Sequence, residues 1–305
     1  MRYAVQLPTE NVHAPAEFGT GEAVAAMARA AEEAGFDACF VTDHPAPGDR
    51  WLAGGGHHSL DPFVALAFAA AATRTIRLQT NVLVLPYRNP FLTAKSVATL
   101  DALSGGRVIL GVATGYLEPE FRALGVDPAE RNALTDEALV AMKRVWTEEG
   151  VAMQGLHFEA EGNTALPRPA QRPHPPIWVG GNAKRAIRRA VEHGQGWLPF
   201  PVPAKMARHI RTAPLATPQD LADRLAYARA HAEAVGRTEP LDVVFVPWSF
   251  QLHAGGAEPD WARARDEAAE LAALGVTWLV LNVACATRAE YQARLDAIAA
   301  NLLAR

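Results

Sequence analysis

Short runs of apolar, β-branched and aromatic residues alternate along the chain with longer segments of helical periodicity. This alternation is typical of buried parallel strands joined by helices. The predicted strands are Tyr3–Leu7, Asp37–Thr42, Ile76–Leu85, Val108–Ala113, Ile177–Gly180, Gly196–Pro199, Leu241–Val246 and Thr277–Val283. Since strand–helix–strand connections are right-handed and parallel, these units predict an α/β fold, a (β/α)8 TIM barrel forming one domain over residues 1–305.

A doubly wound sheet would give the same alternation. However, the turn after the first strand, Leu7-Pro8-Thr9-Glu10, lacks the glycine-rich fingerprint of a dinucleotide-binding unit. Two segments interrupt the barrel pattern. Gly150–Pro176, after the fourth strand, predicts a small hairpin and an extended proline-rich connector. Phe200–Pro218, after the sixth strand, predicts a second insertion over the active face.

Helix boundaries are marked by capping residues. Asp61-Pro62, Asn89-Pro90 and Thr217-Pro218 each place a side-chain acceptor before a proline, and Thr287 with Glu290 predicts a capping box. Left-handed helix ends are predicted at Gly35, Gly194, Gly236 and Gly275.

The helix predicted at Phe63–Thr73 is apolar nearly all round. An outer helix of a barrel should present a polar face to water, so something is expected to cover this one. The cover is either the hairpin of the same chain or a second copy, and we favour a homodimer.

Composition narrows the functional classes. The 305 residues are 50% hydrophobic, which is enough for a large core, and the net charge is −4 without a basic run. Nucleic acid and anionic membranes are therefore not predicted partners. The chain begins without a signal-peptide pattern, and it has no long apolar span. Cys39 and Cys285 lie in no ligand-spaced cluster, so we expect a cytoplasmic protein without a disulfide or zinc.

Polar residues at the ends of predicted strands are the candidates for chemistry, because barrel enzymes work at that face. Asp43 and His44 end the second strand, where they could serve proton transfer or merely cap a loop. Thr80-Asn81-Val82 lies inside the third strand and predicts either a bulge at a ligand or an internal polar layer. Thr114-Gly115 ends the fourth strand and is a weak signal alone.

Gly180-Gly181-Asn182 leads from the fifth strand into a helix. Two glycines and an asparagine cap predict free amides at a positive helix end, which suits a phosphate; a plain turn is the alternative. Lys184 and Arg185 in the first helical turn suit a bound anion. His57-His58 reads as an exposed loop, although with Asp43 and His44 it leaves open a metal-dependent hydrolase.

Three stretches resemble the luciferase-like monooxygenase superfamily, and within it the branch that uses coenzyme F420. They are NVLVLPYRNPFLTAKSVATLDALSGGRVILGVATGY, PRPAQRPHPPIWVGGNAKRAIRRAVEHGQGWLP, and VTDH with LDPFVALAFAAAAT. The resemblance implies a barrel that dimerises through the helices after the second and third strands. It also implies an oxidoreductase that moves a hydride to or from C5 of F420, with a small organic molecule as substrate.

The resemblance assigns roles to individual residues. Asp43 and His44 match the pair beside the deazaflavin ring, with His44 as proton donor or acceptor. Cofactor contacts are implied for Asp43, Thr80, Asn81, Val82, Thr114, Gly115, Tyr116, Gly180, Gly181 and Asn182, with a non-proline cis peptide at Asn81-Val82.

One departure limits the transfer of an activity. Sugar-phosphate dehydrogenases of this branch carry a glutamate after the Thr-Gly, where this chain has Tyr116, and their phosphate-binding lysines have no evident counterparts. The main alternative is a monooxygenase of the same superfamily that uses reduced FMN and O2. A flavin-binding protein without catalysis is another.

Overall fold

Eight parallel strands close into a barrel in the computed structural model, which describes residues 1–251 and 259–303. The barrel strands are β1 (Arg2–Gln6), β2 (Ala38–Val41), β3 (Arg77–Val84), β4 (Val108–Ala113), β7 (Ile177–Gly180), β8 (Gly196–Leu198), β9 (Asp242–Phe245) and β10 (Trp278–Leu281). They are neighbours in chain order, and β10 pairs with β1 to complete the ring. The predicted (β/α)8 barrel is confirmed, and every predicted strand overlaps an observed one.

Helices return the chain between the barrel strands. They are α1 (Pro15–Phe18), α2 (Gly21–Glu33), α3 (Asp49–Ala53), α4 (Pro62–Ala72), α5 (Pro90–Leu103), α6 (Glu118–Ala123), α7 (Arg131–Thr147), α8 (Lys184–His193), α9 (Ala204–His209), α10 (Pro218–Ala234), α11 (Trp248–Gln251), α12 (Trp261–Leu274) and α13 (Arg288–Ile298). Across the described ranges, no helix has the length and apolar character needed to cross a bilayer.

Both predicted insertions are present. After β4, the strands β5 (Val151–Gln154) and β6 (Glu159–Asn163) form the antiparallel hairpin, and a connector without helix or strand follows. The buried carboxylate of Asp101 holds this connector by accepting the backbone N–H of Gln171 at 2.9 Å. After β8, the second insertion contains α9 and is closed by paired backbone bonds between Val202 and Leu215.

Most predicted helix caps are confirmed. The side chains of Asp61, Asn89, Thr217 and Thr287 each accept a backbone N–H of the first turn, and Asp220 completes a capping box with Thr217. The box predicted at Thr287 differs in detail, because the Glu290 carboxylate accepts the N–H of Ala286 rather than that of the cap residue.

Gly194 corrects one prediction of a left-handed helix end. Gly35, Gly236 and Gly275 have positive φ as predicted, whereas Gly194 is extended with φ −107°. The chain turns here directly into β8, and a Cβ on Gly194 would lie 2.9 Å from the carbonyl oxygen of Ile177. Close approach of two backbones therefore explains this glycine.

Apolar layers line both sides of the barrel wall. The larger layer packs the strands against the helices, and a smaller cluster fills the interior around Phe40, Ile109 and two tryptophans. Trp178 and Trp278 meet edge to face with ring centroids 5.0 Å apart. Val82 packs on this interior cluster, so the cluster forms a solid floor beneath the carboxyl ends of the strands.

A bulge interrupts β3 as predicted. The register with β4 shifts between Thr80 and Leu83, and the Asn81–Val82 peptide is cis. Thr80 turns away from the ligand face, because its buried Oγ1 donates to the carbonyl of Gly111 at 2.7 Å. Glycine is required at position 111 because a Cβ there would lie 2.1 Å from the carbonyl oxygen of Thr80.

Gly111→Ala is expected to lower the free energy of unfolding by at least about 2 kcal/mol, since the added methyl meets main-chain atoms of the bulge. Gly54→Ala is the matched control, with φ −88° and its nearest atoms at 3.4 Å. Urea denaturation followed by circular dichroism measures both variants. Equal stability of the two would contradict the steric argument.

Candidate active site

A cavity of about 580 Å³ opens at the carboxyl ends of the barrel strands. Its size is typical of a small-molecule or cofactor site. The floor is apolar and is formed by Val82, Ala113, Leu198, Val244, Val246 and Val280. Every predicted site residue lines this cavity except Thr80 and Asn182, which are fully buried behind it.

The carboxylate of Asp43 is buried and bonded to two groups of the protein. The residue is 3% exposed, and its carboxylate accepts the backbone N–H of Val84 at 2.9 Å and forms a two-point ion pair with Arg88 at 2.7 and 2.9 Å. These bonds tie the end of β2 to the segment that follows the bulge. Asp43 lines the cavity together with His44, and both of its oxygens are bonded within the protein, to Arg88 and Val84.

The carboxylate that does face His44 belongs to Glu120 on α6. Its Oε2 lies 3.3 Å from His44 Nδ1 and 2.9 Å from the hydroxyl of Tyr87, while Oε1 accepts the N–H of Ala46 at 3.0 Å. Burial raises the pKa of Glu120, but the hydrogen bonds from His44, Ala46 and Tyr87 outweigh burial and leave that pKa below its ordinary value.

Aromatic rings pack around His44. Trp51 on α3 lies 4.6 Å from the His44 ring, and His57 meets His44 edge to face at 4.9 Å. Burial lowers the pKa of His57, which keeps this ring neutral at pH 7. Burial also raises the pKa of Tyr116, although a hydrogen bond from Trp51 opposes this effect. The cavity near His44 therefore has neutral rings, and the charge of Asp43, which also lines it, is balanced by Arg88.

The prediction that His57-His58 forms an exposed loop is wrong, because both residues are partly buried and His57 packs against His44. Its Nδ1 is bonded to the carbonyl of His58 at 2.8 Å. Within residues 1–251 and 259–303, no group of three or more His, Cys, Asp or Glu side chains could hold a metal ion. A metal-dependent hydrolase therefore has no ligand set there.

Thr114 and Gly115 form the wall next to Tyr116. Gly115 has φ +71°, and a Cβ on it would lie 2.6 Å from Cγ1 of Val84. Glycine is thus required both by the backbone conformation and by the tight contact with the residue after the bulge.

The loop after β7 lines the cavity differently from the prediction. Helix α8 is capped by Ala183, not by Asn182. Asn182 is fully buried, and its side chain donates to the carbonyls of Phe200 and Ala213 at 2.8 and 3.1 Å. The N–H groups of Gly181 and Asn182 are also bonded within the protein, at 3.1 and 3.0 Å, so the predicted free amides there are wrong. Asn182 instead fastens the second insertion to the barrel through these two loop carbonyls.

Four arginines line the cavity, and the charges of three of them act on the fourth, Arg131. They are Arg131, Arg185, Arg189 and Arg211. Asp136 pairs with Arg185 at 2.8 Å and also with Arg189, while Glu118 pairs with Arg211. Four guanidinium groups against two carboxylates leave a net charge of +2. Burial lowers the pKa of Arg131, and the positive charge of Arg211 lowers it further, so an anion there would be favoured.

The family of this chain is shown by a match over almost its whole length. The model of the luciferase-like monooxygenase family matches residues 1–301. The chain belongs to this family. Its members include oxidoreductases and monooxygenases that depend on F420 or on flavin.

Curated relatives of both cofactor types are similar to the chain. An F420-dependent glucose-6-phosphate dehydrogenase of Intrasporangium calvum is 36% identical over 191 residues, covering 60% of this chain and 54% of the relative. An FMNH2-dependent dimethylsulfone monooxygenase of Pseudomonas putida is 32% identical, covering 56% and 46%. The matches thus span about half the length of these relatives.

Solved structures show the same fold over the full length. The monooxygenase RslO1 of Streptomyces bottropensis superimposes with a TM-score of 0.75 at 24% identity, covering 99% of both chains. The F420-dependent tetrahydromethanopterin reductase of Methanopyrus kandleri gives 0.74 at 16% identity, covering 99% of this chain and 98% of that one. At such identities the likeness establishes the fold alone.

Several residues in or behind the cavity were not predicted from the sequence. Arg88 lies in the LPYRNP stretch, and its pairing with Asp43 was not predicted. Arg211 lies in the insertion predicted at Phe200–Pro218, but its place in the cavity lining was not predicted. Glu120 and Arg189 gave no signal, because acids near helix starts and arginines on amphipathic helices are common without any function.

Asp43→Ala is expected to lower the free energy of unfolding by about 3 kcal/mol, because Val84 loses its acceptor and Arg88 keeps only its longer ion pair with Asp61, at 3.6 Å. The double variant Asp43→Ala/Arg88→Met should be more stable than Asp43→Ala, since no partly buried guanidinium is left with that longer pair alone. Chemical denaturation of both variants and of Arg88→Met tests this coupling. Additive losses would show that the pair is not coupled.

Proposed function

We propose that the protein is an F420-dependent oxidoreductase that transfers a hydride between the deazaflavin C5 and a small organic substrate. The observation that carries this proposal is that one cavity is lined both by the rings at His44 and by a group of four arginines. A flat, uncharged ring with an anionic tail would find partners for both of its parts there.

The residues of the cavity fit such a cofactor. Val82 and Gly115 offer a flat apolar wall, which a side chain at position 115 would break. Arg131, Arg185 and Arg211 would hold the tail. The tail of F420 carries a phosphodiester and carboxylates, whereas FMN carries one phosphate, so the number of arginines favours F420. Bound there, F420 would supply a carrier of two electrons as hydride.

His44 would handle the proton that accompanies the hydride. Its side chain lines the cavity and is held against Glu120, while its backbone N–H donates to Ser59 Oγ at 2.7 Å. An imidazole fixed in this way can give or take a proton near neutral pH. Tyr116, which lines the cavity, would bound the substrate. We propose that the substrate has a reducible C=C, C=O or C=N bond or an oxidisable alcohol.

The alternative is a monooxygenase that uses reduced FMN and O2. The relative that depends on FMNH2 supports it, and the four arginines would accept the phosphate of FMN as well. The two cofactors differ in their oxygen chemistry, because F420 has a carbon where the flavin ring has a nitrogen. Binding and oxygen uptake therefore separate the two functions.

We expect the purified protein to bind F420 at micromolar or lower concentration and FMN at least about tenfold more weakly. Arg131→Gln should weaken F420 binding about tenfold, with a loss that shrinks at high salt. Arg122→Gln is the control, because Arg122 is 62% exposed and outside the cavity lining. Fluorescence titration measures all of these affinities. Tight binding of FMN with oxygen uptake, and none of F420, would replace this proposal by the alternative.

A second copy of the chain is the partner that we propose. Val64 and Phe68 lie one turn apart on α4 and are 60% and 50% exposed, and Leu92 on the adjacent α5 is 69% exposed. The hairpin does not cover α4; it packs on α5, where Phe158 meets Phe91 at 5.3 Å. Apolar side chains exposed together on neighbouring helices are typical of an interface.

The wild-type protein should therefore be a dimer in light scattering. Val64→Glu is expected to shift it to monomers, because the interface would have to bury an unpaired carboxylate. Val235→Glu introduces the same charge at a site 47% exposed after α10, and it should remain dimeric. A monomeric wild type, or dimers of Val64→Glu, would contradict the proposed interface.

A further inference from the structure

Glu120 lies behind His44 rather than in the cavity. Its side chain is fully buried and does not line the cavity, whereas His44 does. The distance of 3.3 Å joins Glu120 Oε2 to Nδ1, the ring nitrogen next to the His44 backbone attachment. A substrate could therefore reach Nε2 but would not contact Glu120.

The surroundings of Glu120 keep it an acceptor. Ala46 N–H and Tyr87 O–H both donate to it, so the hydrogen bonds around the carboxylate favour its ionised form. An ionised carboxylate has no proton to donate. His44 Nδ1 must then carry the hydrogen of the third contact, which leaves Nε2 of the neutral ring as the unprotonated nitrogen.

We propose that Glu120 is the positioning residue of His44, fixing the Nδ1–H tautomer so that Nε2 exchanges the proton with substrate, and stabilising the imidazolium that forms. This inference rests on the proposed proton role of His44. Buried carboxylates orient catalytic imidazoles and fix their tautomer in this way in other enzymes.

Other charged or titratable groups near His44 do not take this role. Asp43 is neutralised by Arg88 and bonded to Val84. His57 packs edge to face on His44, and burial lowers its pKa, so it adds no charge at neutral pH. Tyr87 and Tyr116 have pKa values raised by burial and stay neutral phenols. Glu120 is thus the ionised group in contact with the imidazole.

A purely structural role for Glu120 is the competing explanation, because its bond to Ala46 could simply hold the loop after β2. Glu120→Gln separates the two. The amide oxygen can still accept from Ala46, but the amide NH2 would then face His44 and oblige Nδ1 to accept. The variant keeps the loop bond and reverses the tautomer.

Imidazole ¹⁵N spectra of the protein without cofactor provide the direct test, with His44 signals assigned by their loss in His44→Ala. We expect a protonated Nδ1 in the wild type and in Tyr87→Phe, which leaves the His44–Glu120 contact intact. The neutral ring of Glu120→Gln should be protonated on Nε2 alone. A neutral wild-type ring protonated on Nε2 alone would overturn the inference, even if Glu120→Gln failed to fold.

Kinetics provide the second test. We expect Glu120→Gln to lower kcat by about 100-fold or more, with KM for F420 and substrate within threefold of wild type. The double variant His44→Ala/Glu120→Gln should be no slower than His44→Ala, because Glu120 acts through His44. Losses that multiply in the double variant would overturn the inference. Full activity of His44→Ala would instead refute the proton role in the proposed function, while the tautomer measurement would still stand.

Discussion

The two-point ion pair between Asp43 and Arg88 is the contact on which the cavity depends. Together with the bond from Val84 N–H, it fixes the end of β2 to the chain that follows the bulge of β3. The residue before Arg88 is Tyr87, whose hydroxyl binds Glu120. Glu120 then holds His44, the neighbour of Asp43. Asp43, Arg88, Tyr87, Glu120 and His44 are thus joined by polar bonds and by sequence adjacency into one network. Removing one of these side chains leaves its partners without the hydrogen bond that it made.

Local patterns were enough to predict the barrel, because strand periodicity, caps such as Asp61 and proline positions report on backbone structure. The bulge at Asn81 was also predictable, since buried polar residues inside an apolar strand are costly unless they form hydrogen bonds. Hydrogen-bond partners that are distant in sequence were not predictable. Glu120 faces His44 across 76 positions, and nothing in either local sequence identifies the pair. The prediction that Asn182 caps a helix was wrong for the same reason. Its side chain donates instead to the carbonyls of Phe200 and Ala213.

The cavity combines a group of arginines with a group of aromatic rings. The arginines attract an anion at long range and hold it at short range. His44, His57 and Tyr116 line the same cavity, and Trp51 packs on both imidazoles. A ligand with an anionic tail and an uncharged ring would therefore find partners for both of its parts.

The two buried carboxylates near His44 have different tasks, and their donors explain why. Asp43 receives a guanidinium and a backbone amide, so its charge is neutralised within the wall. Glu120 receives only neutral donors, an amide and a phenol, besides the imidazole. Its charge is therefore left to act on His44, which is the only one of the three donors that can gain a proton. Sequence adjacency suggested Asp43 for this task, but electrostatic balance assigns it to Glu120.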